Sequence, residues 1–247
     1  MSETLSVNGI VLFAAPVGDY DKRLILLTKE RGRITAFARG ARKSKSRLLA
    51  AANPFVLGSF EVYEGRSAYN LYQAEVSQYF TDLAKEIPGV YYGYYFLEFA
   101  DYYAREGVDG SEMVNLLYVT LRAVVKKTVN IRLIRRIFEL RLMVINGEYP
   151  NVFSCLSCGK SEDLVGFSMK KAGTVCRDCF LKTADAESIS ATLLYTLQVV
   201  EGADLKKLYS FNVKEEVLCE FESFMDRYMD CYIDRKFKSL DILEMMS

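Results

Sequence analysis

Residues 23–39 read RLILLTKERGRITAFAR. Two short runs rich in aliphatic, β-branched and aromatic residues, 23–28 and 34–39, lie on either side of the turn signal Arg31-Gly32-Arg33, the pattern of two strands divided by a turn. The same pattern continues outward in both directions. Runs at 5–15, 55–63 and 69–79 are separated by Gly18-Asp19, Asn53-Pro54 and Glu64-Gly65, so the first 80 residues read as five strands. Residues 40–52, basic at their start and Ala-rich at their end, read as either a loop or a short helix.

Five strands in so short a segment bury little as an open sheet, whereas closure into a small barrel removes the exposed edges. An OB-fold meets this requirement, and an SH3-like barrel is the alternative. After Thr81 the period becomes helical, with Tyr91, Tyr95, Glu98, Phe99 and Tyr102 on neighbouring turns, then Met113, Leu117, Leu121 and Val124. The Tyr-rich helix reads as core, because aromatic rings at helical spacing are usually buried. Residues 131–145 combine an apolar stripe with a basic face of Arg132, Arg135 and Arg136, which is either a solvated surface or a docking site for an acidic peptide. A last long helix follows Asn212, read as its N-cap with Glu215 at the capping-box position, and should bury Val217, Phe221, Phe224, Met225, Tyr228 and Tyr232. The fold class is therefore α+β multidomain: an OB-type β-barrel domain over 1–80, then a mostly α-helical domain over 81–247 with an inserted module at 153–182.

The 247 residues contain no histidine, which excludes a Ser-His-Asp triad, a Cys-His pair and an HExxH zinc site. No GxxxxGK[ST] loop or strand-linked GxGxxG cradles a phosphate. Enzyme readings start at a disadvantage. No apolar run approaches the roughly 20 residues that span a bilayer, and the N-terminus lacks the pattern of a signal peptide, so a cytoplasmic address and no membrane contact are expected.

Cys155-Leu156-Ser157-Cys158 and Cys176-Arg177-Asp178-Cys179 are two CxxC pairs with 17 residues between them, the spacing of a four-cysteine zinc site. Four thiolates fill a tetrahedral ion and leave no position for substrate, so zinc here would be structural. Redox chemistry, an iron–sulfur cluster or empty thiols are the other readings. Cys219 and Cys231, roughly 18 Å apart along the last helix, cannot bridge each other and are expected as buried core thiols.

Formal charge sums to zero, with 32 basic and 32 acidic side chains, but the charges are unevenly spread. Arg31, Arg33, Arg39, Arg42, Lys43, Lys45 and Arg47 follow one another with no intervening acid. A basic connection on an OB-like barrel points to single-stranded nucleic acid, whose phosphates follow the cations while exposed aromatics stack on bases. A solvated polar loop is the bland reading of such a run.

Taken in order, the β segment with Gly32-Arg33, the motif Gly40-Ala41-Arg42-Lys43-Ser44-Lys45-Ser46-Arg47-Leu48, the helical middle, Gly147-Glu148-Tyr149-Pro150, the two cysteine pairs and the closing Phe237-Lys238-Ser239-Leu240 resemble the RecO family of bacterial recombination mediators over nearly the whole chain. The resemblance implies binding of single- and double-stranded DNA and annealing of complementary strands. It further implies help in replacing single-strand-binding protein by the RecA recombinase, with RecR and the acidic C-terminal tail of the single-strand-binding protein as partners, and association with the nucleoid. DNA contact carries over to Arg33, Arg39, Arg42, Lys43, Lys45 and Arg47, and tail docking to Arg132, Arg135 and Arg136. A zinc-stabilised protein-interaction scaffold without direct nucleic-acid binding is the alternative, and a zinc-dependent enzyme a third.

Overall fold

The computed structural model describes residues 4–85 and 87–245. Strands β1 (Thr4–Val17), β2 (Asp21–Thr28), β3 (Gly32–Ala38), β4 (Val56–Glu64) and β5 (Tyr69–Tyr79) form a closed barrel in the order β1-β2-β3-β5-β4. Every neighbouring pair is antiparallel except β3 and β5, whose short parallel ladder, Ala36 to Tyr69 and Phe37 to Asn70, completes the OB-type closure. The 40–52 segment is a succession of turns, so of its two readings the loop holds.

One long strand serves both sides of the closure. The first half of β1 pairs with β4 and the second half with β2, and the change of partner falls at Gly9, which faces Gly58. A Cβ on Gly9 would lie 2.2 Å from the Leu27 carbonyl oxygen and one on Gly58 would lie 2.2 Å from that of Glu75. Only glycine lets the backbones approach so closely. Alternation does the rest: Leu24 and Leu26, Ile34 and Ala36, Phe60 and Val62 point inward from successive strands and meet in one core. Full burial of each large side chain among them contributes about 1.5–3 kcal/mol.

Packing divides the chain into two compact units, residues 1–125 with 237–247, and residues 126–236. In the first, a 3-10 turn (Thr81–Lys85) leads to α1 (Gly89–Tyr103) and α2 (Ser111–Lys126), and α1 packs on β1. Tyr92, Tyr95, Phe96, Phe99 and Tyr103 of α1 are buried, as expected for a core helix. Gly32, at φ +61°, receives the 105–108 backbone so closely that a Cβ would lie 2.1 Å from the Arg105 carbonyl oxygen. The short α7 (Lys238–Glu244) belongs to this unit as well. Phe237 inserts among Tyr95, Phe99 and Tyr102, while the Glu98 carboxylate accepts from the N–H groups of Lys238 and Ser239 and caps α7.

The second unit holds α3 (Ile131–Ile145), a three-stranded antiparallel sheet of β6 (Leu164–Ser168), β7 (Gly173–Cys176) and β8 (Ala186–Ser188), the one-turn α4 (Arg177–Phe180), α5 (Ala191–Gly202) and α6 (Glu215–Tyr232). Phe167 of β6 meets Phe224 edge-on at 4.9 Å and Phe224 stacks on Tyr228 at 5.8 Å, tying the small sheet to α6. Arg141 donates to the final carbonyls of α5, at Val200 and Glu201, placing a cation where the helix dipole is negative.

Helix α6 departs from the sequence expectations at two places. Asn212 does not cap α6: its Oδ1 accepts from Asn130 N and its Nδ2 donates to Thr128 O, so it braces the start of α3, while Glu215 turns to Arg132. Cys219 and Cys231 are exposed rather than buried, because α6 directs Phe221, Phe224, Met225 and Tyr228 into the core and leaves both thiols outside it, Cys219 beside Arg132 and Glu215.

Candidate nucleic-acid interface and metal centre

The loop from Arg39 to Asn53 is amphipathic. Ala41, Leu48 and Ala52 join the barrel core, which leaves Arg39, Arg42, Lys43, Lys45 and Arg47 exposed. Both ends are anchored. At the start, Gly40, at φ +65°, donates its N–H to Asp21 Oδ1 at 2.7 Å. Arg42 N donates to Tyr20 O at 2.9 Å, and the Arg42 guanidinium reaches the carbonyls of Gly18 and Asp19 at 3.2 and 3.1 Å. At the end, the Lys22 ammonium donates to Ala52 O at 2.9 Å and Asn53 Oδ1 at 2.7 Å. Burial, and secondarily the nearby Arg42 charge, holds the Lys22 pKa below its usual value.

None of these five exposed cations has a carboxylate partner among the described residues. A cationic side chain without an internal counter-charge holds only solution ions, which a polyanion displaces. Arg33 is placed differently. Its Nε donates to Asp101 Oδ1 at 2.7 Å, so its charge is already met and it ties β3 to α1. The roles of Lys22 and Asp21 as anchors were not legible in the sequence, where Gly18-Asp19 signalled only a turn.

The arginines of α3 are likewise engaged. Arg132 Nη1 lies 2.6 Å from Glu215 and its Nε 3.0 Å from Glu222, whose other oxygen meets Nη2. Hydrogen bonds to Glu222 and Glu215 keep this guanidinium firmly protonated. Arg135 and Arg136 share the fully buried Glu139 at 2.7 and 3.0 Å, and Arg136 also reaches Asp226 at 2.7 Å. The expected open basic face is thus paired with acids of α3 and α6. An acidic peptide would have to displace Glu215 and Glu222 from Arg132.

In the second unit, the sulfurs of Cys155, Cys158, Cys176 and Cys179 all lie within 4.8 Å of one another, with Cys158 and Cys176 at 3.6 Å. The first pair sits on a tight knuckle, where Cys155 N donates to Lys160 O at 2.7 Å and Gly159, at φ +76°, returns its N–H to Cys155 O at 2.9 Å. The second pair runs from the end of β7 into α4. Burial opposes ionisation of Cys155, yet N–H groups of Cys176, Cys158 and Ser157 bring it down to about 6. Cys179 is pushed up to about 12 by burial and by its hydrogen bonds to the other thiols. Crowded thiols ionise one at a time against mounting repulsion, and a divalent cation removes that repulsion. Four sulfurs at tetrahedral Zn–S distances stand about 3.8 Å apart, so this cluster can hold one metal ion such as zinc.

An OB-type barrel with an anchored cationic loop free of carboxylate partners, followed by a helical region that carries a four-cysteine module, is an architecture able to receive a polyanion such as a nucleic acid. Residues 1–80 match the family Recombination protein O N terminal, and residues 85–241 match Recombination protein O C terminal. The chain is similar to the DNA repair protein RecO of Alkaliphilus metalliredigens, 31% identical over 240 residues that cover 96% of this chain and 98% of that one. The DNA repair protein RecO of Acetivibrio thermocellus is 28% identical over 241 residues, covering 97% and 96%, and that of Bacillus pumilus 29% over 239 residues, covering 97% and 93%. The chain belongs to the RecO family of DNA repair proteins and has a role in recombinational repair. No helix among the described residues is long and apolar enough to cross a membrane.

Proposed function

We propose that the protein binds single- and double-stranded DNA through the exposed cations of its barrel loop, anneals complementary single strands, and with RecR assists loading of RecA onto strands coated by single-strand-binding protein. The observation that carries this reading is the set Arg39, Arg42, Lys43, Lys45 and Arg47, gathered on one anchored loop and free of internal acids. Annealing requires no bond to be made or broken within the protein. A cationic surface offsets phosphate repulsion between two strands, and loose contact leaves the base edges free to pair. A protein with this role would act on the chromosome, in the cytoplasm.

The four cysteines would hold a structural zinc ion, which supplies folding free energy to a small sheet with few core residues of its own. Arg33 acts as a tie between β3 and α1, and Arg132 and Arg136 as a brace between α3 and α6, while Arg135 pairs with Glu139 on α3 itself.

The test is a mixing experiment with complementary labelled oligonucleotides and no nucleotide cofactor. The protein should accelerate pairing, and the Arg39→Glu/Arg42→Glu/Lys43→Glu variant should not. Retention of a protein partner with no binding of either strand would favour the scaffold reading instead.

A further inference from the structure

We propose that Tyr20 is a base-stacking residue, and that it makes the cationic loop favour strands whose bases are exposed. The inference rests on the loop being a phosphate-binding surface. Tyr20 ends the β1–β2 turn and is 56% exposed, so its ring is open to a ligand. Its position is fixed rather than loose. Gly18 adopts φ +54° within the turn, Tyr20 O accepts from Arg42 N, and the Arg42 guanidinium fastens the carbonyls of Gly18 and Asp19. Lys43 Nζ stands over the ring, 5.3 Å from its centroid.

A nucleotide presents a flat ring beside an anionic phosphate. Tyr20 with Lys43 and Arg42 presents the complement, an aromatic ring with one cation over its face and a second fastened to the turn that carries it. In a duplex each base already has neighbours on both faces and its ring is not offered sideways, so only an unpaired strand engages Tyr20. Stacking tolerates any base, so the residue confers preference for single strands without preference for sequence. A lysine above a tyrosine also stiffens a loop by itself, and the experiment must separate this from base contact.

The chain contains no tryptophan, so Tyr20→Trp creates a sole reporter at the site. In the full-length protein, its emission should be quenched by an oligothymidylate and left unchanged by an abasic strand of equal length and charge. Wild-type protein and Tyr20→Phe should bind the thymidylate roughly 5- to 100-fold more tightly than Tyr20→Ala does. All of them should bind the abasic strand, and a blunt duplex, equally well. Equal quenching by both strands, or an unchanged thymidylate affinity in Tyr20→Ala, would overturn the stacking role while leaving the loop's phosphate contacts standing. Loss of binding to the abasic strand by the wild type would strike at the loop reading itself, and the stacking role would go with it.

Discussion

Lys22 Nζ donates to Asn53 Oδ1 across 2.7 Å, joining the start of β2 to the last turn of the cationic loop. Here a basic residue serves architecture, and the exposed cations Arg39, Arg42, Lys43, Lys45 and Arg47 stay without a carboxylate partner among the described residues. Lys22→Met keeps the aliphatic stem and removes the donor. Its expected cost is about 1.5–3 kcal/mol, because the bonds lost are charge-assisted and half-buried. Amide exchange followed by mass spectrometry should show residues 48–55 opening faster, with the β1–β4 ladder unchanged.

Glu139 is fully buried between Arg135 and Arg136. Removing one member of such a network leaves charge unpaired in a low-dielectric site. Glu139→Gln should therefore lower stability by about 3–5 kcal/mol in a urea titration, whereas replacing Glu139, Arg135 and Arg136 together by apolar residues should cost less than Glu139→Gln alone.

Glu201, at the end of α5, has its pKa raised to about 7 by burial, with the Arg141 charge acting in the opposite sense. The folded carboxyl thus holds its proton more tightly than the unfolded one, whose pKa is near 4.5. Its contribution to stability is full below pH 4.5 and is lost as pH rises through 7. Since the residue is only half-buried, the effect is on the order of 1–2 kcal/mol after solvent screening is allowed for. Thermal melts at pH 5.5 and 8 should differ more for the wild type than for Glu201→Gln, which should be the more stable of the two at pH 8.

Chelation should act on the second unit only. One zinc ion per chain is expected by metal analysis, and its removal, or Cys155→Ser, should loosen β6, β7 and α4. Far-UV spectra of the barrel strands and binding to oligonucleotides should persist. Loss of barrel structure on chelation would contradict the assignment.

How much of this was legible in the sequence differs from element to element. The inward-facing residues of β2 and β3 stand at alternate positions of the 23–39 stretch, and the cysteine pairs carry their own spacing, so barrel and module could be read directly. What could not be read depends on partners distant in the chain. Glu98 interrupts an apolar run for no local reason, and only the return of residues 237–239 shows that its carboxylate caps α7. Asn212 has the residue type and position of an N-cap, yet Asn130 and Thr128, more than 80 residues away, claim its side chain. The arginines of α3 formed a basic face on their own helix, and the acids that neutralise most of it come from α6. Local patterns report which side chains share a face, and only tertiary structure reports what lies opposite.

The central claim is that the barrel loop meets DNA through unopposed cations, and the salt dependence of binding tests it most directly. Each phosphate neutralised on a single strand adds about 0.7 to the downward slope of log K against log salt. The five loop cations therefore predict a wild-type slope of about −3.5, falling to about −1.4 when Arg39, Lys45 and Arg47 are replaced by alanine. A slope that these replacements leave unchanged, or a wild type indifferent to salt, would contradict the account.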